Sequence, residues 1–177
     1  MSEKKITPVF LTMEVAQLAV DQVLSVIESL GDSVLSRMMC HIVILVPSMK
    51  DDREGGYPDY PNYQIEPHIL YQLSFGKRAN WPHEFDSIAR CKALQLWQGR
   101  NDDRTDCMPH LLFAGDTPYW GGAKQDGIVV ACSGFQPHFD RTFSQMILAM
   151  CVGLAYDGLA KFQKDGFDKD FLPEKTT

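Results

Sequence analysis

Five histidines, five cysteines and one lysine on an apolar helix face are the residues of this chain best equipped for chemistry. The histidines are His41, His68, His83, His110 and His138. None stands in a His-x-x-x-His or His-Glu-x-x-His pattern, so a zinc hydrolase has no ligand spacing here. A single histidine can still hold a haem iron, although an unpaired one more often serves as a surface or capping group. The cysteines are Cys40, Cys91, Cys107, Cys132 and Cys151. No Cys-x-x-Cys pair exists, which removes the zinc-ribbon and thioredoxin-type readings and leaves no metal site to nominate. Cys132 precedes Ser133-Gly134 at a strand end. It is either a thiol activated by the adjacent helix start or a small buried strand residue, and the second is the commoner case. No Ser-His-Asp or Cys-His arrangement can be assigned from spacing, so covalent catalysis has no support at this level.

Lys92 lies at helical spacing with Phe85, Ile88, Ala89 and Leu96 and so points toward the apolar side of its helix. A lysine there pairs a ligand carboxylate, such as a haem propionate or a small organic acid, or it snorkels or meets a structural acid. Gly121-Gly122 lets backbone approach a ligand or marks a tight bend. Ser133-Gly134 precedes a helix, whose first N–H groups hold a carboxylate or phosphate, or else a turn satisfies its own donors. Taken together, the two glycine sites suggest a pocket for a small anionic molecule.

These residues need elements to position them. Thr12 is a natural N-cap, and Ala16, Ala19, Val20, Val23, Ile27 and Leu30 form the buried stripe of a first helix that stops at Gly31. Cys40 to Val46 is a buried β-branched strand ended by Pro47, and His68 to Phe75 is the returning strand. Between them residues 48–67 form a long insertion. It holds Gly55-Gly56, three prolines and Tyr57, Tyr60 and Tyr63, whose spacing suits an extended path with the rings on one side, as a lid or subunit contact. A second helix is expected from Trp81-Pro82 to about Gly99, then a polar loop at 99–109 containing Asp102, Asp103 and Asp106. Strands follow at Leu111–Ala114, Thr117–Ala123 and Ile128–Ser133, with Asp126-Gly127 as a hairpin turn. Pro137 opens a third helix that runs to about Phe162. The order α-β-β-α-β-β-β-α with hairpins predicts a single α+β domain over 1–177, with antiparallel strands layered against three main helices.

Composition bounds the partners. The chain has 177 residues, 45% of them hydrophobic and 23% charged, enough apolar material for one domain with a core. Its 17 Lys and Arg against 23 Asp and Glu give a formal charge of −6, which disfavours nucleic acid and anionic membrane surfaces as partners. No apolar segment follows the charges of Met1 to Pro8, and the apolar run Ile42 to Val46 is too short to span a bilayer, so a cytoplasmic location with free thiols is expected.

The ordered motif set resembles the family of small haem-binding and glycolate-operon accessory proteins, which also includes the C-terminal domain of certain corrinoid adenosyltransferases. The matching segments are Leu11-Thr12-Met13-Glu14-Val15-Ala16, Ile42 to Pro47, Gly55-Gly56, His68-Ile69-Leu70-Tyr71 and Ile88-Ala89-Arg90-Cys91-Lys92-Ala93. They continue with Gly121-Gly122, Asp126-Gly127, Ser133-Gly134 and Asp140. The resemblance implies a profilin-like or sensor-like α/β/α domain with a five-stranded antiparallel sheet that self-associates into a homo-oligomer. It implies an accessory protein that binds a small molecule, with haem or another tetrapyrrole as one ligand and a small organic acid as another. One haem-binding relative takes its histidine ligand from the first helix. Thr12 to Leu30 has no histidine, so His68 and His138 become the substitutes. The expected ligand-binding set is Lys92, Gly121, Gly122, Ser133, Gly134, His68 and His138. The alternative is a small enzyme acting on a carbonyl or carboxylate substrate through Lys92 and a histidine.

Overall fold

The computed structural model describes residues 5–50, 65–101, 108–166 and Leu172. The expected Gly55-Gly56 turn, the three tyrosines of the insertion, and Asp102, Asp103, Asp106 and Cys107 lie outside the described residues. The elements in chain order are β1 (Lys5–Ile6), α1 (Met13–Leu30), β2 (Cys40–Lys50), β3 (Glu66–Phe75), α2 (Phe85–Trp97), β4 (Gly122–Gln125), β5 (Ile128–Ser133) and α3 (Pro137–Lys164). The fold is α+β, with a five-stranded antiparallel sheet and three main helices. β2 is central: it pairs with β3 and with β5, β4 adds to β5, and β1 pairs with the end of β2 at Lys50 and Met49.

Apart from His41, every position of Cys40–Val46 is apolar because both faces of β2 are covered. Ile42, Ile44 and Val46 pack with Val130 and Cys132 under α1 and α3. Val43 and Leu45 pack with Val129 and Ala131 under Ala89, Ala93 and Leu96 of α2. A strand buried on both sides loses the polar alternation of a half-exposed one. Each fully buried Ile, Leu or Val side chain contributes about 1.5–3 kcal/mol.

α1 begins and ends as its residues dictate. Thr12 Oγ1 accepts from the Val15 N–H at 3.3 Å, Glu14 occupies the first turn, and the chain leaves the helix at Gly31. Thr12→Ala is therefore expected to lower stability by about 1 kcal/mol, read as a shift in urea midpoint at unchanged slope.

Four elements differ from expectation. β2 runs through Pro47 to Lys50, because Pro47 faces Pro67 in the register and neither has an N–H to contribute. Such a pair occupies a non-hydrogen-bonded position of the ladder and breaks nothing. α2 starts at Phe85, since Pro82 holds Trp81 extended at φ −70°, ψ 124°. The strand expected at Leu111–Ala114 is a 3-10 turn at Pro109–Leu111 followed by irregular chain, and Thr117–Ala123 reduces to the short β4. Side chains around α2 supply the hydrogen bonds there that a ladder would. Arg100 donates to the Leu111 carbonyl at 3.1 Å and pairs with Asp116, Gln95 Nε2 donates to the Thr117 carbonyl at 3.1 Å, and the Thr117 N–H reaches Cys91 Sγ at 3.2 Å. β1 replaces the missing strand, so the sheet still has five.

Among the described residues α3 is the one helix long and apolar enough to cross a membrane. Its buried side chains Phe143, Ile147, Leu148 and Cys151 belong to the core with α1 and the sheet.

Candidate functional site

The end of β5, the start of α3 and one face of α2 converge on a buried ion pair. Lys92 sits on α2 in line with Phe85, Ala89 and Leu96, so its stem is enclosed and only 2% of the residue is exposed. Its Nζ donates to the Cys132 carbonyl at 3.0 Å and to Asp140 Oδ2 at 3.1 Å. Asp140 lies in the first turn of α3, where a carboxylate suits the helix dipole. Its Oδ1 accepts from the Phe135 N–H at 3.0 Å, and the Gly134 N–H also bonds it. Ser144 Oγ donates to the Asp140 carbonyl at 2.7 Å and accepts from the Cys132 N–H at 3.1 Å. Lys92 and Ser144 therefore terminate β5 by taking both backbone groups of Cys132.

Burial pushes the Asp140 carboxyl up to about 6, even though Lys92 and the two backbone N–H groups pull it down. Burial also pushes the Cys132 thiol up to about 12. That thiol stays protonated at neutral pH and is no nucleophile.

A pocket of about 180 Å³ opens beside this pair. Lys92, Asp140, Ser133 and Gly134 line it, together with Arg37, His83, Tyr119 and Trp120. The Arg37 guanidinium stands over the Phe85 ring at 5.7 Å, and no acid among the described residues pairs with it. The N-cap of α3, Gln136, makes no side-chain capping bond, so the first turn of the helix is not closed by its own cap.

Of the seven residues nominated from sequence, Lys92, Ser133 and Gly134 line this pocket. Gly121 stands behind it with φ +110°. A Cβ there would lie 2.7 Å from Asp140 Cβ and 2.8 Å from the Pro137 carbonyl oxygen, so its smallness serves the approach of the 115–122 segment to α3. Gly122 packs the same way against Leu96 and β5. His68 pairs opposite Val46, whose side chain belongs to the α1/α3 layer, so it stands on the face of the sheet away from α2. His138 is exposed in the first turn of α3 with its ring 4.7 Å from that of Phe139. Neither histidine lines the pocket. The lining groups that sequence reasoning did not nominate include Arg37, His83, Tyr119, Trp120 and Asp140. Asp140 had a visible signal, an acid in the first turn after Pro137, whereas Arg37 and His83 come from segments whose meeting only the fold decides.

Among the described residues no three His, Cys, Asp or Glu side chains converge as a metal site. Comparison of the chain with protein-family models, curated proteins and solved structures finds no match.

Proposed function

We propose that this chain is a cytosolic, self-associating small-molecule-binding protein, of the haem-binding and glycolate-operon accessory type, whose ligand is a small organic acid. The observation that carries this reading is the pocket of about 180 Å³ lined by the Lys92 ammonium, the Arg37 guanidinium and His83. An ammonium has three N–H donors, and two are engaged by Cys132 and Asp140, which leaves one for a ligand oxygen. Drug-sized ligands occupy about 300–1,000 Å³, so the volume favours a small carboxylate over a tetrapyrrole. The ordered motif set supports the family reading. Met150 and Tyr156 on the outer side of α3, 40% and 71% exposed, accord with self-association, which native mass spectrometry measures directly.

Affinity should depend on pH in a defined direction. Asp140 competes with the ligand for Lys92 only while it is ionised. With its pKa at about 6, its neutral form is about one-tenth populated at pH 7 and about nine-tenths at pH 5. A ligand carboxylate stays largely ionised over that range, so binding should tighten about tenfold between pH 7 and pH 5. Isothermal titration with a panel of small mono- and dicarboxylates at both pH values tests this. The expected result is saturable binding, tighter at pH 5 and lost in Arg37→Ala. Haemin titration followed at the Soret band is the companion arm. Failure of every acid at both pH values, or a stoichiometric response to haemin alone, overturns the proposal.

A further inference from the structure

We propose that Ser74 is a reactive site independent of the pocket: a nucleophilic serine activated by His41, whose co-reactant is an acyl ester or thioester carrying a negative charge. Ser74 on β3 stands directly opposite His41 on β2. Its Oγ lies 2.9 Å from His41 Nδ1, and the other ring nitrogen, Nε2, lies 3.3 Å from Gln72 Oε1. The same Gln72 oxygen accepts from Arg90 Nε at 3.2 Å. Arginine only donates, so the Gln72 atom at this junction is the oxygen. His41 Nε2 must then carry its hydrogen, which leaves Nδ1 bare to accept the Ser74 hydroxyl proton. Nucleophile, base and a group that orients the base thus form one chain, the arrangement that activates a serine. The two partners are 33 residues apart, which is why spacing does not show them.

Exposure divides the roles. His41 is 4% exposed and Ser74 is exposed, so the base is shielded while the hydroxyl is reachable. The charged groups facing His41 are Arg90 and Asp86 on α2 and Arg78 on the turn before it. Burial leads in lowering the pKa of the ring, and the two arginines add to it against Asp86 and Gln72. At neutral pH the ring is a free base. Arg78 and Arg90 pair with Asp86 at 2.5 and 3.9 Å, and with side chains 70% and 42% exposed they keep further N–H groups open to an anionic acyl donor. The Trp81 ring meets His41 edge-on at 6.3 Å, and its buried Nε1–H has no acceptor among the described residues.

The reaction balances without a redox partner. Ser74 Oγ bonds to the acyl carbon while its proton passes to His41 Nδ1. The adduct collapses, the bond from the acyl carbon to the leaving oxygen or sulfur breaks, and the leaving group takes the proton from Nδ1. Water then bonds to the acyl carbon, giving its proton to His41. Ser74 Oγ departs and recovers a proton from Nδ1, so the sum is ester or thioester plus water giving acid plus alcohol or thiol.

The test uses the full chain and a fluorophosphonate probe, with the adduct located by tandem mass spectrometry. The expected result is one adduct on Ser74, absent in Ser74→Ala, forming at a rate that rises with pH through a midpoint below 6.5. His41→Gln should slow it about 100-fold or more. Because that change also disturbs a buried position, Gln72→Met at an exposed one is the second variant. It should lower the rate and move the midpoint while the circular dichroism spectrum stays unchanged. No adduct, an adduct elsewhere, or a rate indifferent to both pH and Gln72 overturns the proposal. None of Ser74, His41 and Gln72 lines the pocket, so this outcome is separate from the ligand titrations.

Discussion

Lys92→Met is expected to lose stability steadily between pH 6 and pH 8, where the Asp140 contribution of the parent chain changes little. A carboxyl whose folded pKa lies above its unfolded value contributes its full stability below the unfolded pKa and loses it as pH rises through the folded one. For Asp140 in the parent the two ends of that window are 3.8 and about 6. Above about pH 7 both states are largely ionised and the contribution is nearly flat. Lys92 is the strongest influence holding the carboxyl down. Without it the folded pKa rises further, so the folded state keeps its proton while the unfolded state releases it. The slope then approaches at most about 1.4 kcal/mol per pH unit, so the variant should fall up to about 3 kcal/mol below the parent by pH 8. Adding Asp140→Asn to Lys92→Met should abolish that slope, because no carboxyl is left at this position to titrate. Urea unfolding of the three proteins at pH 5, 6, 7 and 8 reads all of this. A Lys92→Met curve parallel to the parent between pH 6 and 8 would show that the pair is not coupled in the way its 3.1 Å contact demands. Methionine keeps the length of the buried stem, and the bond it loses to the Cys132 carbonyl does not titrate, so the pH slope isolates the charge.

Gly134→Ala is expected to cost about 4 kcal/mol. The glycine links β5 to α3 at φ +143°, a conformation that other residues rarely adopt. A Cβ there would lie 2.3 Å from the Met39 carbonyl oxygen and 2.6 Å from Cys40 Cα. Both atoms belong to backbone at the start of the central strand, so relief means moving β2 itself. Backbone strain of about 1–3 kcal/mol and overpacking of about 1–3 kcal/mol add at this position. Gly153 on α3 gives the opposite sign. Nothing lies within 4 Å of a Cβ built there, and Gly153→Ala should gain about 0.5–1 kcal/mol from helix propensity. Equal effects at the two glycines would refute the steric reading. Loss of acid binding in Gly134→Ala should follow the loss of fold, since Gly134 also supplies an N–H that bonds Asp140.

Local pattern was enough for the elements whose physics is local. The stripe from Ala16 to Ile27, with Thr12 before it and Gly31 after it, sets α1 by period and caps alone. The Asp126-Gly127 turn has both residues at positive φ, 52° and 79°, as a tight hairpin requires. The run Cys40 to Val46 carries enough buried area to be a strand in any context. Pattern failed where tertiary contacts supplied the hydrogen bonds. Residues 111–121 look strand-like, yet Arg100 and Gln95 satisfy their carbonyls and no ladder forms. β1 is two residues long and exists because the end of β2 offers Lys50 and Met49 a partner.

The same division holds for the sites. Sequence by itself determined that Lys92 lies on the buried face of its helix, because helical period decides that. It left two partners open for the ammonium, a ligand acid or a structural one. Only the tertiary structure decided that Asp140 meets it, since that meeting needs α2 and α3 to pack against the end of β5. It likewise decided that Ser133 and Gly134 share a pocket with Arg37 and His83, that His68 stands on the far face of the sheet, and that Ser74 and His41 face each other. Period and composition report which face a residue takes, whereas the identity of what faces it depends on strand register and helix placement, contacts between residues far apart in the chain.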